Sequence, residues 1–216
     1  MEIDASILMK LRTAIRDEAA KAFADLQQES PGESVYVFGL FDYADYGCPT
    51  LFYGGNTEQR LAERLAEGDL SVETARWRPV YWGTHDQLAA APMVEEIIEQ
   101  FGLAEDDDDE SLFDFAEQVR AEMVLALREL DARGFFGTGN DRNQLTLTVS
   151  TQDEADSDDW THLISARLLN PENVFRKYLV ELRRANQESD LSNVEFEEVI
   201  GQLDDSTLAQ RVKQGV

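Results

Sequence analysis

The chain has 216 residues, 43% of them hydrophobic, which suffices for one well-buried domain and excludes global disorder. Its 44 Asp and Glu against 19 Lys and Arg leave a formal charge of −25, a field that repels nucleic acid and anionic membrane and argues against direct DNA or RNA binding. A single cysteine, Cys48, excludes an internal disulfide and a thiolate-rich metal site, as suits a reducing compartment.

In chain order, Ile3, Ile7, Leu11, Ile15, Ala19, Phe23 and Leu26 recur at spacings of three and four, which predicts an amphipathic helix closed by Ser30-Pro31-Gly32. The start, Met1-Glu2-Ile3-Asp4, lacks the basic and apolar segments of a secretory signal, and no apolar run nears the roughly 20 residues of a membrane span. A cytoplasmic protein is expected. Residues 35–41 are apolar at both alternating positions, the pattern of a central strand buried on both faces. A second strand is predicted over 50–53, joined to the first by a loop carrying Asp42, Asp45, Gly47 and Pro49 and ended by Gly54 and Gly55. Asn56 or Thr57 then caps a short helix reaching Ala66.

Residues 73–82 read as two strand-like fragments broken by Pro79, and Thr84 and Gln87, at capping-box spacing, as a turn before a helix over 92–101. The acidic run 105–110 precedes the strongest helical pattern, 112–130, with Leu112, Phe115, Val119, Met123, Leu127 and Leu130 on one face. Alternation over 145–150 predicts a strand with one polar face. A second acidic run, 153–159, lacks the glycine and ligand spacing of an EF-hand. Residues 160–169 fit strand or helix, and Asn170-Pro171 opens a helix with Val174, Phe175, Tyr178, Leu179 and Leu182 on a face. The expected architecture is α+β: an antiparallel sheet covered by amphipathic helices in one domain over 1–185, with 186–216 a partly ordered C-terminal extension.

Two functional classes compete. Arg76, Trp77, Arg78 and Trp82 form the densest cluster of binding-prone side chains, to be weighed against a Trp-rich piece of core whose arginines pair with carboxylates. With Asp42, Tyr43, Asp45 and Tyr46 of the hairpin loop they are the candidate partner-binding residues, and a basic protein, such as a toxin, is the partner the charge suits. The alternative is a hydrolase or metal-dependent enzyme using Cys48, His85 and nearby carboxylates. No nucleophile elbow, H-E-x-x-H or phosphate-loop pattern supports it, and no cofactor is expected.

V-Y-V-F-G-L-F-D (35–42), G-G-N-T-E (54–58), R-W-R-P-V-Y-W-G-T-H (76–85), G-F-F-G (134–137) and S-A-R-L-L-N-P (165–171) together resemble a family of bacterial proteins catalogued as a domain of unknown function. Its pattern has an early aromatic strand, an A-N-T-E-E-like helix start, an R-W-x-P-x-x-W-x-x-H block and a late R-L-N-P. The resemblance runs from about residue 35 to 182, and this chain departs from it with Gly55 in place of alanine, an extra leucine before Asn170 and long acidic loops. In size and acidity such proteins resemble immunity proteins that neutralise secreted bacterial toxins. The resemblance implies a binding protein rather than an enzyme.

Overall fold

The computed structural model describes residues 3–45, 48–68, 71–82, 84–101, 110–151, 160–187 and 193–215. The first amphipathic stretch forms α1 (Ala5–Glu29), capped by Asp4, whose carboxylate accepts from the Ser6 N–H at 2.7 Å. Leu11, Ile15, Ala19, Phe23 and Leu26 line its buried face. The chain turns at Gly32 (φ 85°) into β1 (Val35–Asp45), where residues 36–42 are all buried, and returns as β2 (Cys48–Thr57). There follow α2 (Glu58–Ala66), α3 (Val72–Trp77), β3 (Thr84–Gln87), α4 (Ala91–Phe101), α5 (Glu110–Ala132), β4 (Thr146–Thr151), α6 (Thr161–Leu169), α7 (Glu172–Gln187), α8 (Asn193–Gln202) and α9 (Thr207–Gln214).

Among the described residues the sheet has four strands in the order β3-β2-β1-β4. β1 is central, as its two-sided apolar pattern predicts, and pairs antiparallel with β2. The expected antiparallel sheet is corrected at β4, which runs parallel to β1 with Val37 opposite Thr146 and Asp42 opposite Thr151. β3 explains the difference. It pairs antiparallel with β2 and so points the same way as β1, and the chain from β3 to β4 crosses over through α4 and α5, as strands of like direction require. Thr84-His85-Asp86-Gln87 carries no strand periodicity, and its strand state comes from pairing on the edge of β2.

Helices lie on both faces. On one, Phe38, Leu40, Leu147 and Val149 meet α1 and α5 in a core that also takes Leu208 and Val212 of α9. Phe136, from the G-F-F-G turn, stands edge-on to Phe23 at 5.0 Å and near Phe38 at 5.9 Å. On the other face Trp82 packs with Tyr36, Val37 and Leu61, and α6 and α7 form a further cluster around Leu163, Phe175 and Tyr178.

Three local expectations are corrected. Gly54 and Gly55 do not end the hairpin but pair with Gly39 and Phe38 inside the sheet, where Leu26 of α1 crowds the space a Cβ on Gly55 would fill. Residues 42–45 and 48–49 are strand rather than loop, because buried Asp42 finds a half-buried arginine partner instead of solvent. Residues 72–77 are helical and Pro79–Tyr81 a single 3-10 turn, so Pro79 ends a helix where a bent strand is expected.

Candidate functional site

Three of the sequence motifs converge on one place. The Arg76 guanidinium makes a two-pronged pair with Glu58, Nη1 to Oε1 and Nη2 to Oε2 at 2.8 Å each, and lies 4.4 Å from the centre of the Tyr36 ring. Glu181 of α7 adds a carboxylate 3.7 Å from its Nε. Burial works against the charge on Arg76, but the hydrogen bonds and charge of Glu58 with the charge of Glu181 outweigh it and raise its pKa. The Arg76 carbonyl accepts from both the Tyr36 hydroxyl (3.2 Å) and Trp82 Nε1 (3.0 Å), and Asn56 Nδ2 donates to the Tyr36 oxygen at 3.1 Å. Burial pushes the Tyr36 phenol far above the usual tyrosine range, with the Arg76 charge and the Asn56 hydrogen bond opposing part of that shift. Trp77 stands edge-on between Tyr36 (6.0 Å) and Tyr178 (4.6 Å). Tyr36, the N-T-E turn, Arg76-Trp77 and Trp82 thus form one polar and aromatic knot tying β1, α2, α3 and α7 together. Apart from the Trp77 indole N–H, which is buried without a partner, the donors and acceptors named here face one another, and the chemistry is that of a structural joint.

The S-A-R-L-L-N-P motif does a comparable job at the far edge of the sheet. Val149 N–H donates to Ser165 Oγ at 2.8 Å and the Val149 carbonyl accepts from the same hydroxyl at 2.7 Å. Asn170 repeats this two residues back, accepting from Leu147 N–H at 2.8 Å and donating to the Leu147 carbonyl at 2.7 Å. Buried Arg142 joins them, donating to Asp131 at 2.6 Å, to the Leu145 carbonyl at 2.6 Å and to the Leu169 carbonyl at 2.9 Å. Side chains therefore supply the partners that a fifth strand would give β4.

The residues singled out for partner binding fall into separate places. Asp42 is fully buried against Arg120 of α5 (3.0 Å), and Trp82 is buried in the knot. Arg76 and Trp77 are half-buried there, while Arg78 is exposed. The backbones of Tyr43 and Asp45 continue β1; their side chains, and Tyr46 altogether, lie outside the described residues. Tyr36, in the knot, and Tyr43 are seven strand residues apart, roughly 23 Å. The two halves of the predicted surface therefore sit at opposite ends of β1. Cys48 pairs with Asp45 and His85 with Gly54, six residues along β2 and so about 20 Å apart by strand rise, beyond reach of a thiol–imidazole pair. The acidic runs 105–109 and 153–159 lie outside the described residues.

Among the described residues, no group of three or more His, Cys, Asp and Glu is placed to hold a metal, and no helix is long and apolar enough to cross a membrane. Arg120 and Arg142 escaped the reading of the sequence, and Ser165 and Asn170 entered it only as letters of the S-A-R-L-L-N-P motif and, for Asn170, as a helix boundary. The one legible hint is Asn170-Pro171, whose asparagine can turn back on the helix it ends.

Residues 15–171 match the family described as Domain of unknown function (DUF4303), and the chain belongs to that family. No curated protein and no solved structure matches it.

Proposed function

We propose that this member of the family is a binding protein that docks an acidic surface on a basic protein partner, in its most specific form as an immunity-type inhibitor of a secreted bacterial toxin. The observation that carries the reading is the charge left over after internal pairing. Arg12, Arg16, Arg76, Arg120, Arg142 and Arg183 each face a carboxylate of the same chain. These arginines are thus engaged within the chain, and a formal charge of −25 remains for the molecule as a whole. Opposite fields speed encounter and reject wrong partners. On this reading the protein acts in the cytoplasm and needs no cofactor.

The hairpin end is the favoured contact. Beyond Asp42, where the pairing to β4 ends, and Phe52, where that to β3 ends, β1 and β2 continue as a two-strand ribbon whose backbone includes Tyr43 and Asp45, with Tyr46 next in sequence. Tyrosines on a strand-held ribbon bind at low cost in rotamer entropy. Capture with tagged protein in the native host, followed by mass spectrometry, tests the proposal: the partner should be basic, and mixing it with this protein should block its toxic activity. Capture of only neutral or acidic proteins contradicts it.

A further inference from the structure

A cleft of about 600 Å³ opens among α5, α6, α8 and the start of α9, and it shares no lining residue with the knot. Its lining includes the apolar Trp160, Ile164 and Leu203 and the acidic Glu117 and Asp205. No Lys, Arg or His is among the described lining residues. Glu117 accepts from Arg120 at 2.9 Å, and that arginine is shared with buried Asp42, so one cation stands behind two carboxylates. Asp205 is exposed on the 3-10 turn before α9; its neighbour Asp204 is the one that Arg167 approaches, at 3.9 Å. An indole beside acidic and aliphatic side chains is the combination that attracts an organic cation.

We propose that this cleft binds a small organic cation, an ammonium or guanidinium group on an apolar body. The volume falls within the range of about 300–1,000 Å³ usual for small-molecule sites and exceeds what one inserted Lys or Arg side chain would fill. That favours a free ligand over a side chain of a protein partner, and the inference stands apart from the proposed docking reaction.

The probe is 2-phenylethylammonium at neutral pH, with phenylacetate and 2-phenylethanol as its anionic and neutral counterparts, each titrated into the full chain by calorimetry and tryptophan fluorescence. The cation should bind saturably and change the emission of Trp160, a response lost in Trp160→Phe, while the anion and the alcohol should not. Asp205→Asn and Glu117→Gln should together weaken binding about tenfold, the scale of two partly exposed charge contacts. Should Glu117→Gln disturb folding by freeing Arg120, Asp205→Asn on its exposed turn still reads the charge contact. Equal binding of phenylacetate or 2-phenylethanol, no saturable binding of the cation, or full affinity in Asp205→Asn would overturn the assignment.

Discussion

Gly39 sits where β1 meets both Thr148 of β4 and Trp82 of the opposite layer, and a Cβ there would lie 2.8 Å from the Thr148 carbonyl oxygen and 3.3 Å from the Trp82 ring. Backbone cannot yield as a side chain can, so Gly39→Ala should cost about 1–3 kcal/mol in denaturant unfolding. At Gly55 the close atom is the end of the Leu26 side chain, at 2.4 Å from the ideal Cβ position, and Gly55→Ala should cost less than Gly39→Ala. The reverse order would show that the sheet and its covering layers are spaced differently. Tyr36 gives a pH signature. Its folded pKa is raised by burial, so the fold favours the protonated phenol, and its contribution is intact below the unfolded value near 10 and declines as pH rises beyond it. Wild-type stability should therefore fall more steeply than that of Tyr36→Phe above about pH 10, by up to about 1.4 kcal/mol per pH unit. Parallel curves would mean that Tyr36 ionises as freely in the fold as out of it.

At the scale of elements, β4 depends on α6 for its outer edge. Asn170→Ala leaves the buried N–H and carbonyl of Leu147 without the amide that pairs them, a loss of about 1–3 kcal/mol. Hydrogen exchange should show the Leu147 amide losing protection in Asn170→Ala and the Val149 amide losing it in Ser165→Ala; unchanged protection would mean that another group covers the edge. This joint also marks the limit of what the sequence discloses. Helices α1, α5 and α7 were legible because each has an apolar face of regular period, and the central strand because residues 35–41 are apolar on both faces. β3 was hidden because Thr84-His85-Asp86-Gln87 is a strand only by virtue of β2, and the direction of β4 was hidden with it. The cluster at Arg76 and Trp77 was visible as composition. A Trp-rich piece of core with arginines paired to carboxylates was one of its two readings, but the partners were not legible, since Glu58 and Tyr36 lie 18 and 40 positions away in the chain. The hairpin loop was misread at Asp42 for a related reason: an aspartate signals a turn unless a distant arginine, here Arg120, makes burial tolerable.

Over the whole molecule, the proposed binding would divide its labour between charge and shape. The acidic excess would act at a distance, limited by a screening length of about 8 Å at physiological salt, whereas tyrosines of the ribbon would act on contact. Tyr43→Ala with Tyr46→Ala should mainly raise the dissociation rate of the captured partner, and neutralising Asp106, Asp107, Asp108 and Asp109 should mainly lower its association rate. A tyrosine double variant that folds and binds unchanged would move the contact elsewhere. The central claim, that the net negative charge serves recognition of a basic protein, is tested most directly by stopped-flow association of the purified partner across a series of salt concentrations. Steering by opposite fields predicts an association rate that falls steeply as salt rises while the dissociation rate changes little; an association rate indifferent to salt would contradict it.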